Sequence, residues 1–159
     1  MEAATMSFSG KSNAVIEATL TNDGFFPDLS LAEFQRVYRI PAEYHGDMVA
    51  AHVRQAMLDI NFSLAMRKAE WLSGGFKTLD AVGAEQLDGR NVLVLYYLRA
   101  VSYRAKASLL NAFATMNRRA QAENLAKESD DTEQSLLSDS VRALRRLLGA
   151  ATGITAELL

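Results

Sequence analysis

Cysteine is absent from the 159 residues, which excludes a disulfide framework, a thiol nucleophile and a thiolate metal site. Histidine is scarce. His45 and His52 are the only two, and no carboxylate stands at the Glu-x-x-His or His-Glu-x-x-His spacing that binds metal on a helix. No glycine-rich phosphate loop is present, since Gly74-Gly75 closes a helical pattern and does not follow a strand. No apolar run approaches the roughly 18–20 residues that cross a bilayer. The N-terminus lacks the basic start and apolar core of a signal peptide. These absences lead us to expect a soluble cytoplasmic protein without membrane contact. No catalytic, cofactor-binding or metal-ligating set is assigned. Proline occurs only at Pro27 and Pro41, leaving long stretches free of helix breakers.

Net charge is only −2, which gives no whole-molecule attraction to nucleic acid. The even total hides a segregation. From Arg90 to Arg119 there are six basic residues and no acid, leaving eleven basic against nineteen acidic residues elsewhere, a balance of −8. Residues 120–133 are rich in acid, including Asp130 and Asp131. The basic and acidic stretches are expected to pair within the fold or between copies of the chain. The candidates are Arg99, Arg104 and Lys106 against Asp130 and Asp131. Arg99 and Lys106 share a helix face while Arg104 points nearly opposite, so they make no single basic strip for DNA.

Helical periodicity organises the rest. Asn91–Met116 contains no glycine or proline and is apolar on every side of a 3.6-residue wheel, the pattern of a helix enclosed by others. We expect it to be the axle of the fold, running from about Arg90 to Arg118. A first helix over about 31–39 follows from Ser30 and Glu33 as a capping box, with Leu29 and Phe34 as its hydrophobic staple. Phe25, Phe26 and Pro27 precede it and are expected to anchor the bundle. A long helix over 48–72, capped by Asp47, carries the stripe Val49, Val53, Ala56, Met57, Ile60 and Leu64. A last helix, 130–148, is expected from an Asp130/Glu133 box, with Leu136, Leu137, Val141, Leu144 and Leu148 as its apolar stripe. The connection 76–89 reads as a loop with one helical turn, long enough to suggest a task of its own. The fold class is all-α, a four-helix bundle over 24–152 with a mobile N-terminal arm (1–23) and a C-terminal docking tail (153–159).

Four blocks carry a resemblance. They are Gly24-Phe-Phe-Pro-Asp-Leu-Ser-Leu-Ala-Glu-Phe34, Gly75-Phe-Lys-Thr-Leu-Asp-Ala-Val-Gly-Ala-Glu-Gln-Leu-Asp-Gly89, Val92-Leu-Val-Leu-Tyr-Tyr-Leu-Arg-Ala-Val101 and Thr155-Ala-Glu-Leu-Leu159. In this order, residues 24–159 resemble the phage head completion protein family of contractile-tailed temperate phages. The resemblance implies a structural, non-enzymatic connector in the virion neck, assembled in the host cytoplasm, with no cofactor. Identical subunits would form a nominally twelvefold ring beneath the portal protein after DNA packaging. That ring would enclose DNA without specific binding and present a surface to a tail-side neck or tail terminator protein. Ile154, Thr155, Leu158 and Leu159 would dock on the portal. The alternatives are a small helical enzyme with an arginine-lined anion site, or a helical adaptor of another complex.

Overall fold

A computed structural model describes residues 15–83, 85–116 and 131–149. Over these the chain is mostly helical, with two short antiparallel strand pairs added. The axle is helix α4, Val92–Met116. Tyr97, Ala100, Val101, Ser102, Ala105 and Leu109 are buried on several of its sides, as the wheel required. Helix α2, Gly46–Ser63, and helix α5, Glu133–Leu148, supply its largest contacts. Val49, Val53, Ala56, Met57 and Ile60 of α2 are buried in the same core as the α4 residues and as Ala143 and Leu147 of α5.

Helix α1, Leu31–Val37, starts where Ser30 Oγ accepts the Glu33 N–H at 3.2 Å. It stops before Arg39, earlier than expected, because Arg39 takes a left-handed φ of 53°. The Ile40 N–H then reaches the Gln35 carbonyl, which closes the helix in Schellman fashion.

The helix expected over 48–72 is two helices. It breaks at Leu64, between α2 and α3, Ala65–Ser73. Ser63 Oγ donates back to the Asp59 carbonyl at 2.9 Å, a bond that competes with the backbone ladder and bends helices. The four expected helices therefore become five among the described residues. The start of α2 also differs. His45 occupies the cap position without a side-chain bond, and Asp47 lies inside the first turn.

Residues 15–23 belong to the folded body, not to an arm. Strand β1, Thr19–Leu20, pairs with β2, Leu29–Ser30, and the Ile16 N–H donates to Gln35 Oε1 at 2.9 Å. Residues 1–14 lie outside the described residues.

The connection after α3 carries a 3-10 turn, Leu79–Ala81, and then a hairpin of β3, Gln86–Leu87, and β4, Arg90–Asn91. Asp88 and Gly89, at φ 52° and 71°, make the two-residue turn that matches strand twist. The central helix consequently starts at Val92 and not at Arg90. Asn91 is the hinge of this corner. Its Oδ1 accepts the Leu93 N–H at 2.8 Å, and its Nδ2 donates to the carbonyls of Asp80 and Val82.

The cap of α5 is also corrected. Thr132, not Asp130, is the N-cap, in a reciprocal capping box with Ser135. Its buried face is Leu136, Ser140, Ala143 and Leu147. Val141 and Leu148, expected in the inner stripe, are exposed, because Ser140 turns inward and donates to the Ala100 carbonyl at 2.7 Å.

Candidate functional site

Three features of the surface and its supports could act on a partner. The first is the plug before α1. Phe25 and Phe26 are buried and meet edge to face, with Phe26 stacked on Tyr97 at 4.8 Å and Phe25 on Trp71 at 6.0 Å. Lys68 Nζ lies 5.7 Å from the Phe25 ring centre and 5.8 Å from that of Phe26, and pairs with Asp23 at 2.8 Å. Asp23 Oδ1 accepts the N–H groups of both Phe25 and Phe26. Pro27 is half-buried, and its carbonyl accepts from Asn22 Nδ2.

Beneath the plug, Tyr97 is bound from two sides. Its hydroxyl donates to Asn61 Oδ1 at 2.5 Å and accepts from Asn22 Nδ2 at 2.8 Å, and Asn61 donates back to Asn22. This cluster ties the 15–30 segment to α2 and α4. Its polar atoms are spoken for, so it is a brace and not a reactive site. Burial pushes the Tyr97 hydroxyl well above its ordinary 10.0, and burial also raises Tyr38 and Tyr44. For Asp23, burial opposes ionisation, but Lys68 and the Phe26 and Phe25 N–H groups outweigh it and hold the carboxyl below 3.8.

The signs give a pH prediction. Tyrosines raised in the native state contribute stability that is complete below about pH 10 and is lost as pH rises. Asp23 contributes stability present above about pH 4 and lost as pH falls. Urea titrations across pH should therefore show a plateau with losses at both ends. Tyr97→Phe should flatten the alkaline fall. It should also cost about 1–3 kcal/mol at neutral pH by leaving the two Asn side chains short of a partner.

The second feature is the charge of the axle. Arg104 Nε pairs with Asp59 at 2.8 Å, and Lys106 Nζ with Asp131 at 2.7 Å. Arg99 stands over the Tyr103 ring at 5.0 Å. Asp130 lies outside the described residues. Among the described residues the three basic groups go to separate partners, Arg104 to Asp59, Lys106 to Asp131 and Arg99 to the Tyr103 ring. The first two are answered within the fold, by α2 and by the residue before the α5 cap. Such half-exposed pairs contribute under about 1 kcal/mol each. No group of three or more His, Cys, Asp or Glu fit to hold a metal occurs among the described residues. His52 Nδ1 instead lies 2.6 Å from Ser108 Oγ.

The third feature was missed in the sequence. Leu58, Phe62 and Met66 lie along the outside of α2 and α3 with exposures of 59%, 84% and 83%. Single exposed apolar residues are ordinary, and these three, spaced by four, form one outward row. The signal was available, because the spacing of four repeats twice on the side opposite Val53, Ala56 and Ile60. Leu87, at the hairpin, is also exposed. The portal-docking candidates Ile154, Thr155, Leu158 and Leu159 lie outside the described residues. No described helix is long and apolar enough to cross a membrane.

The described residues form a small helical body whose distinctive groups are braces, ion pairs and an outward apolar row. Residues 20–158 match the model of the phage head completion protein family, and the chain belongs to that family. It is 27% identical over 146 residues to the probable head completion/stabilization protein of Haemophilus phage HP1 (strain HP1c1), covering 92% of this chain and 96% of the relative. It is 26% identical over 156 residues to the head completion/stabilization protein of Escherichia phage P2, covering 94% and 92%. No solved structure matches.

Proposed function

We propose that the chain is the structural connector between head and tail. Copies assemble as a ring, nominally twelvefold, beneath the portal protein once DNA is packaged. The ring stabilises the filled head in the virion neck and offers its far side to a tail-side neck or tail terminator protein. Family membership supports head completion as the task. The observation on this molecule that carries the reading is the row Leu58, Phe62 and Met66, which a permanently solitary protein would have no reason to expose. DNA passes through the ring without specific binding, consistent with Arg104 and Lys106 being neutralised by Asp59 and Asp131. The C-terminal segment, with Ile154, Thr155, Leu158 and Leu159, docks on the portal.

Native mass spectrometry and negative-stain imaging of the chain with purified portal protein test this. The expected result is a ring stacked on the portal. A portal that remains bare at every mixing ratio overturns the connector reading. The DNA part is checked separately by titrating plain duplex DNA at low salt. Weak binding, unaffected by neutralising Arg99, Arg104 and Lys106, is expected. Tight, salt-sensitive binding abolished by those changes would reverse it.

A further inference from the structure

The helical body has two unlike ends, and its contacts fix which elements share each. Helices α2 and α5 both run antiparallel to α4. On α2, Asn61, Asp59 and His52 meet Tyr97, Arg104 and Ser108 in turn. On α5, Ser140 donates to the Ala100 carbonyl and Glu133 accepts from Asn111. The close of α5 at Gly149 therefore stands level with the start of α4, not with its end.

A chain of contacts ties that end together. Arg67 of α3 lies 3.9 Å from where a Cβ on Gly149 would sit, and its guanidinium is 5.3 Å from the Trp71 ring centre. Trp71 stacks on Phe25, whose carbonyl accepts the Leu79 N–H at 2.9 Å. Asn91 donates to the carbonyls of Asp80 and Val82, and the Val92 N–H donates to the Glu85 carbonyl at 3.1 Å. These bonds seat the β3–β4 hairpin beside the plug. Leu72, Phe76 and Leu87, all at this end, are 48%, 38% and 65% exposed. The opposite end holds Tyr44 against Phe113 at 4.7 Å and the N-cap of α5 at Thr132.

Reach decides between the two. Ile154 is five residues beyond Gly149, so even a fully extended chain keeps it within about 18 Å of that residue. From Val92 to Phe113, α4 rises about 32 Å. Ile154 cannot reach the Tyr44–Phe113 end, whereas the hairpin end lies beside it.

We infer that the end carrying the β3–β4 hairpin, the 72–76 corner and the close of α5 is the one that faces the portal protein. The inference rests on the docking of Ile154 to the portal proposed above, and adds the polarity of the subunit in the neck. Leu87, Leu72 and Phe76 offer apolar side chains to the portal beside the docked tail. The Tyr44–Phe113 end then points away from the head, toward the tail-side protein.

The absence of native cysteine allows one label per chain. Leu87→Cys and Leu72→Cys mark the hairpin end, on two different elements, and Gln134→Cys marks the other end in the first turn of α5. All three positions are exposed, and circular dichroism checks that each variant keeps its helices. Each variant is labelled with benzophenone maleimide, mixed with purified portal protein and irradiated. The label at position 87 or 72 should link the chain to the portal, and the label at 134 should not. Portal adducts from 134 alone would reverse the polarity and leave the connector reading standing. Adducts from both ends, or from neither on a portal that native mass spectrometry shows to be occupied, would place the portal along a flank and overturn the end-on assignment alone. A portal that the unlabelled chain never occupies would overturn the connector reading itself.

Discussion

Phe26→Ala should lower the unfolding free energy by about 3–5 kcal/mol, the largest loss of any single change suggested here. The ring is 3% exposed, stacked on Tyr97 with an interplanar angle of 7° and set edge-on to Phe25. Its removal leaves a cavity in the middle of the contact between the N-terminal segment and α4. The neighbours cannot readily collapse into it. Tyr97 is pinned by hydrogen bonds to Asn22 and Asn61, and the backbone N–H of residue 26 is held by Asp23. A domain of this size has about 5–15 kcal/mol to lose, so the variant should retain its fold at low temperature and melt early. Urea unfolding monitored by circular dichroism measures the loss. Phe26→Leu, which keeps most of the apolar volume, should cost clearly less. A loss under about 1 kcal/mol for the alanine variant would mean that the plug is not seated in the core.

The elements legible in the sequence were those set by strong local rules. The unbroken apolar wheel of 92–116 placed the axle, the Ser30 cap placed the first helix, and the stripe from Val49 to Ile60 placed the inner face of α2. Three of the misses share a cause, which is that a short polar side chain has two uses. Ser63 closes α2 with its hydroxyl bonded to the Asp59 carbonyl, a bond of the kind that bends helices. Ser140 is buried on the Ala100 carbonyl, and Val141 and Leu148 lie outside while Leu136 stays inside. Asn22 gave no periodic signal, yet it holds residues 15–23 to the body through Asn61 and Tyr97, partners 39 and 75 residues away. Such partners cannot be read from spacing. Arg39 in the left-handed region is a similar case, because an L-residue there carries no mark in the sequence. The Asp88-Gly89 hairpin differs, since that dipeptide is itself a recognised turn signal. At the candidate surfaces, the charge segregation was legible as a pattern. The choice of Asp59 for Arg104 depended on the tertiary pairing of α2 with α4.

Deleting residues 154–159 should abolish head completion while leaving the isolated chain as stable as before. The two halves of that expectation have separate grounds. Stability should be spared because the last described helix ends in its own C-cap at Gly149. Gly149 adopts a left-handed φ of 72°, and its N–H is taken by the carbonyls at the end of α5. The guanidinium of Arg67 also lies beside this helix end, 3.9 Å from where a Cβ on Gly149 would sit. A cation at that place favours the negative end of the helix dipole. The core residue nearest the end, Leu147, is 1% exposed and already covered. Thermal and urea midpoints of the truncated chain should thus match those of the full chain to within the about 0.5 kcal/mol typical of surface changes. Loss of function is expected because Ile154, Leu158 and Leu159 are the apolar part of the segment proposed to dock on the portal. The readout is complementation of completion-defective heads, scored as DNA retained and tails attached. Ile154→Asp with Leu158→Asp should reproduce the loss in a chain of full length, separating side-chain docking from mere length. Undiminished completion by either variant would remove the tail from the portal interface and leave the α2–α3 row and the α4–β4 corner as the surfaces still to be tested there.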